Sequence, residues 1–211
     1  MRFEELVAAV ADEPVFETGL LLAGPRDADN IRRQLSRWVR GGKVQQMRRG
    51  LYALAPPWQR RVPHPFLLAN RLAPGSYVSG PAALAFAHAI PEYAPEVTSV
   101  TTGRPHIRRL PSSRFSFRHL KADRFFGYRL LDLGADQRAF VATPEKALLD
   151  SVYLQPGGHH REFLRELRLD FGALDLDALD RTAARFGAPK TTRTASRIRE
   201  LAAEAPAYDL L

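Results

Sequence analysis

Glu145 and Lys146 stand side by side, and Asp123 and Asp132 precede them. Carboxylates beside a lysine are nuclease material. Successive side chains on a strand point to opposite faces, however, so neighbours with no residue between them do not serve one phosphate. His159-His160 are a second pair of ligand type. Adjacent histidines diverge on a helix, and no third ligand is spaced to join them. The chain has no cysteine, which excludes disulfides and thiolate metal sites and fits a reducing cytoplasm. It contains neither a Walker-type phosphate loop nor a GxSxG elbow. These residue types point to binding rather than catalysis: no enzyme, no cofactor and no metal is expected.

The basic residues are more informative. The 211 residues carry a formal net charge of +8, which favours polyanionic partners. The charge falls in two zones. The first holds Arg26, Arg32, Arg33, Arg37, Arg40, Lys43, Arg48, Arg49, Arg60 and Arg61 against Asp27 and Asp29. The second holds Arg104, Arg108, Arg109, Arg114, Arg118, Lys121, Arg124 and Arg129 against Asp123.

The elements that position the first zone follow from periodicity. Phe3, Leu6, Val7 and Val10 share one face of a short helix. Residues 17–24 read as a second short helix or turn, stopped at Gly24-Pro25. Asp27 or Asp29 caps a third helix to residue 39, and Gly41-Gly42 ends it. Ala28, Ile31, Leu35, Trp38 and Val39 form its buried stripe; Asn30, Arg33, Gln34, Arg37 and Arg40 lie opposite. A hairpin over 43–54 follows, turning at Arg48-Arg49-Gly50. Helix, helix, basic helix, hairpin is the order of a winged helix-turn-helix. Such a domain sets its third helix in the major groove of double-stranded DNA. Arg33 and Arg37 then meet guanine or phosphate, Asn30 and Gln34 adenine, Arg26 phosphate, and Arg48-Arg49 the backbone or the minor groove, with Arg40 and Lys43 also in the DNA-binding set. The competing reading is a solvated arginine-rich face that binds nothing.

Beyond a linker bracketed by Pro56-Pro57 and Pro63-His64-Pro65, residues 66–72 and 82–89 read as helices. Residues 97–102, 115–120, 125–133 and 139–142 read as strands. Thr143 caps a helix over 144–154, and helices near 160–169, 175–186 and 191–204 complete the chain. The fold expected is mixed α/β (α+β). A winged helix-turn-helix domain over 1–58 precedes a larger α/β domain over 64–211, with sheet and helices to about 156 and helices over 160–211. In the second basic zone Phe115 and Phe117 alternate with Arg114, Ser116 and Arg118. Either they mark a core face with an electropositive outer side, or they stack on single strands. No stretch approaches the roughly 20 apolar residues of a membrane span, and the N-terminus lacks a signal pattern, so a cytoplasmic protein is expected.

The segments 77–86, Ile90-Pro91-Glu92, 97–102 and above all Ala142-Thr143-Pro144-Glu145-Lys146-Ala147-Leu148-Leu149-Asp150 resemble the AbiEi-type antitoxins of abortive-infection toxin–antitoxin systems. Arg49-Gly50-Leu51-Tyr52 resembles their winged helix. The resemblance runs from near the N-terminus to about residue 154. It implies a cytoplasmic antitoxin and transcriptional repressor of its own operon, acting in phage defence. The partners implied are operator DNA and a nucleotidyltransferase-like toxin; no membrane partner is implied. The alternative is a stand-alone winged-helix regulator whose C-terminal domain senses a ligand or partner. Read from the residues alone, Thr143 is an N-cap, Pro144 the first helical residue and Glu145 a charge at the positive helix end. Lys146 and Asp150, four apart, are expected to pair on the surface. The motif is thus either a capped core helix or a contact for a partner. Arg104, Arg108, Arg109, Arg114, Arg118 and Lys121 are candidates for a partner or a second nucleic-acid surface.

Overall fold

The computed structural model describes residues 1–22, 27–91, 95–111 and 113–204. It is mixed α/β, with two sheets and a helical C-terminal end. The chain divides into two compact units, Met1–Pro74 with Asp132–Arg138, and Gly75–Leu131 with the chain from Ala139.

The first unit opens with α1 (Phe3–Val10), β1 (Phe16–Glu17), α2 (Thr18–Leu21) and α3 (Ala28–Arg40). The strands β2 (Val44–Arg48) and β3 (Leu51–Leu54) follow, then α4 (Pro65–Leu72). Asp27 caps α3 by accepting from the Asp29 N–H at 2.9 Å. The stripe on α3 turns inward as its spacing predicts. Ile31, Leu35 and Trp38 are buried with Phe3, Leu6, Val10, Phe16 and Leu21, while Ala28 and Val39 are half-buried at its border. Phe3 meets Trp38 and Trp58 edge-on, with centroids 5.5 and 5.0 Å apart. The sheet runs β1-β3-β2, antiparallel throughout. Gly50, at φ +82°, takes the left-handed conformation that lets β2 turn into β3.

The boundary differs from the linker expected over 59–63. That segment is held within the first unit by a turn far along the chain. Arg61 pairs with Asp136 at 3.0 Å, and the His64 N–H donates to Gln137 Oε1 at 2.7 Å. Gln137 Nε2 in turn donates to the Val62 carbonyl at 3.0 Å. His64 also caps α4, its Nδ1 accepting from the Phe66 N–H at 3.1 Å.

The second unit is built on a six-stranded mixed sheet, ordered β6-β7-β5-β4-β9-β8. Its strands are β4 (Ser76–Val78), β5 (Glu96–Thr101), β6 (His106–Leu110), β7 (Ser113–His119), β8 (Tyr128–Asp132) and β9 (Arg138–Ala142). Its helices are α5 (Gly80–Phe86), α6 (Pro144–Leu154), α7 (Arg161–Glu166), α8 (Leu176–Phe186) and α9 (Pro189–Glu204). β5 runs parallel to β7, and β4 parallel to β9. Tyr77 is registered with Val100, and Val100 with Arg118, so these three share a face. α6 packs on that face, its Lys146 reaching the Tyr77 hydroxyl. Phe115 and Phe117 are buried on the other. Strands β4 and β6 were not foreseen: β4 has three residues and leads straight into α5, and β6 is an exposed edge.

Candidate functional site

In the first unit α3 presents Asn30, Arg33, Arg37 and Arg40 on its exposed side. Spacings of four and three residues line the arginines up along one stripe. Arg32, absent from the sequence-based set, joins them, although it pairs with Asp29 at 2.9 Å. Its spacing from Asp29 and Ser36 would have placed it there. Arg33 lies 4.0 Å from Asp27 and stays 76% exposed. Gln34 is less available: it is half-buried and paired with the Asn30 amide at 3.1 Å, and when turned over its nitrogen donates to the Met1 carbonyl at 2.7 Å. Arg26 lies outside the described residues, as do residues 23–25 and Glu92.

Two residues of the predicted DNA-binding set, Lys43 and Arg48, are half-buried and engage the protein itself. The Lys43 ammonium sits over the Phe3 ring at 4.7 Å and the Trp58 ring at 5.7 Å, where it caps the core. Arg48 donates to the carbonyls of Arg71 and Arg49, each at 3.0 Å, and reaches Glu17 at 3.5 Å. Its side chain is 25% exposed. Arg49, at the turn between β2 and β3, is exposed.

In the second unit Arg104, Arg108, Arg109, Arg114, Arg118 and Lys121 are all exposed. They do not form one surface. Arg109 is registered with Arg114, which shares its face with Arg118; Arg108 is registered with Phe115 and points to the other face. Arg114 pairs with Glu96 at 2.6 Å. Arg124 leaves this group: it is half-buried, donates to the Phe186 carbonyl at 3.2 Å and stacks on Tyr153 at 4.8 Å.

The motif at the start of α6 is interior. Thr143 accepts from the Lys146 N–H at 3.3 Å, and Pro144 occupies the first turn. Glu145 is buried and accepts from the Asp175 N–H at 3.0 Å, which ties it to the start of α8. Lys146 and Asp150 do pair, but inside: both side chains are fully buried, correcting the surface pair expected from their spacing. Asp150 also accepts from the hydroxyls of Tyr77 at 2.9 Å and Ser79 at 2.8 Å. Lys146 donates to Tyr77 at 2.9 Å, and its ammonium lies 4.8 to 5.4 Å from the ring centres of Phe186, Phe126 and Tyr77. Gly127 makes room for the lysine stem, since a Cβ there would come within 3.0 Å of Lys146 Cγ. Burial pushes the Asp150 carboxyl up and the Lys146 ammonium down, while their attraction opposes both shifts. Burial and the neighbouring Asp150 charge push the Tyr77 hydroxyl far up, so it stays protonated. The group is a closed hydrogen-bonded network, suited to holding α6 on the sheet. Tyr77 and Ser79 had a readable signal, being two apart at a strand end and so on one side.

No protein-family profile and no curated protein sequence matches the chain. Among solved structures it is similar to the crystal structure of the RV2827C protein from Mycobacterium tuberculosis. The TM-score is 0.53 and the identity 20%, over 98% of this chain and 82% of that one. At that identity the likeness extends to the fold alone. The described residues contain no group of three or more His, Asp or Glu placed to hold a metal ion, and no helix long and apolar enough to cross a membrane.

Proposed function

We propose that the chain is a DNA-binding antitoxin. Its first unit acts as a winged helix that recognises its own operator and represses its operon. Its second unit neutralises a nucleotidyltransferase-like toxin in the cytoplasm. One observation carries the DNA-binding half. α3 commits Ile31, Leu35 and Trp38 to the core and leaves Arg33, Arg37 and Arg40 in a row outside, with Arg49 exposed at the neighbouring hairpin turn. Thirteen residues make a helix about 20 Å long, and a major groove about 12 Å wide admits it. The element order and the antiparallel β1-β3-β2 sheet support the winged-helix reading, in which the β2–β3 hairpin is the wing.

The antitoxin half rests on the resemblance of the α6 motif and its neighbours. Because Glu145, Lys146 and Asp150 are buried, toxin recognition falls to exposed groups such as Arg109 and Arg114.

A gel shift of the full chain with its own promoter and with a shuffled duplex tests the first half. The wild type should prefer the promoter. Arg33→Ala and Arg37→Ala should each weaken binding by about fivefold or more. Equal affinity for both duplexes would remove the repressor. Co-expression with the product of the adjacent gene tests the second half. If that protein is toxic, the chain should relieve toxicity, and Arg33→Ala/Arg37→Ala should still do so.

A further inference from the structure

We propose that the second unit contains a binding site for a small amphipathic carboxylate, anchored by Arg118. A cavity of about 260 Å³ is lined by residues of α5, α6 and β5, together with Arg118 of β7 and Phe163 and Leu167 on and after α7. An apolar cavity of about 150 Å³ accommodates benzene, so this one accepts roughly ten non-hydrogen atoms. Val100, Leu154, Phe163 and Leu167 supply its apolar lining.

The polar lining consists of Ser79, Thr98, Asp150, Ser151, Gln155 and Arg118, of which Arg118 brings the positive charge. The Ser79 hydroxyl donates to Asp150 and the Ser151 hydroxyl to the Ala147 carbonyl, each at 2.8 Å. Both therefore offer a ligand lone pairs, not protons. Asp150 already accepts from Lys146, Tyr77 and Ser79, and its charge is balanced by the lysine, so it does not repel an anion. Arg118 is different. One of its N–H groups donates to the Leu154 carbonyl at 3.2 Å, an orphan acceptor at the end of α6, which holds the guanidinium at the cavity. A guanidinium has five N–H donors in a planar fork, so most of them stay available to a ligand. Among the described residues no carboxylate forms an ion pair with Arg118, whereas Arg114, two positions earlier, is paired with Glu96 at 2.6 Å. A single unpaired guanidinium beside an apolar pocket matches a monoanion with an apolar body. A phosphate dianion would call for further cationic or N–H donors.

The test is calorimetric titration of the full chain with octanoate, whose ten heavy atoms match the volume, and with 1-octanol. Octanoate should bind with a Kd on the order of 10–100 μM. Octanol should bind at least about tenfold more weakly. Arg118→Met should cost octanoate about tenfold or more and leave octanol unchanged, and Arg118→Lys should cost less. Leu167→Trp, which fills the apolar end, should abolish both. Circular dichroism melts check that the variants stay folded. Absence of octanoate binding at millimolar concentration, equal affinity for octanol, or affinity indifferent to both Arg118→Met and Leu167→Trp would overturn the site. None of these readouts involves DNA, so the site stands or falls apart from the repressor reading.

Discussion

Lys146 carries no net role that water could replace, because no water-facing atom of its side chain remains. Removing one member of a buried ion pair leaves the other charged without a partner, which costs about 3–5 kcal/mol. Lys146→Met keeps the volume and the aromatic contacts but strands Asp150 with two hydroxyl donors. Urea unfolding should show a loss in that range, a large share of a typical domain's stability. Lys146→Met/Asp150→Leu should lose clearly less than the two single substitutions summed, because the double variant strands no charge. Additive losses would mean that the two groups do not act as a pair.

At the scale of elements, the β2–β3 hairpin separates two arginines that look alike in sequence. Arg48 is bound by two carbonyls and Glu17; Arg49, one residue on, stands at the turn. Arg48→Ala should lower stability by about 1 kcal/mol in a thermal or urea melt. Arg49→Ala should leave stability unchanged and, on the proposed repressor reading, weaken promoter binding. A reversal of these effects would displace the hairpin from the interface. Such assignments show what a sequence can and cannot disclose. α3 was legible because Ile31, Leu35 and Trp38 recur at the helical period, and the start of α6 because Thr143-Pro144 is a cap. Edge strand β6 was not, since an exposed strand has no buried alternation to betray it. The domain boundary was hidden because Gln137 closes it from 73 residues beyond His64. The burial of Lys146 was hidden because lysine side chains are almost never fully buried unless paired. The warning lay in α6 itself: with Ala147, Leu148, Leu149 and Val152 wrapped around its circumference, the helix leaves its early turns no polar face for water.

At the scale of the molecule, the net charge of +8 makes binding to any duplex a function of salt, and the steepness reports how many phosphates are engaged. If DNA meets only the first unit, Arg33, Arg37, Arg40 and Arg49 give about four contacts. At roughly 0.9 per phosphate, log affinity should then fall against log salt with a slope near −4. Arg49→Ala should make the slope shallower by about one. A slope between about −5 and −6 that returns to near −4 in Arg109→Ala/Arg114→Ala would assign the second basic zone to nucleic acid as well. A slope that ignores those two residues leaves them to a protein partner. A flat response would contradict phosphate-driven binding altogether, since releasing condensed counterions is the step that gives a cationic helix its affinity for a duplex.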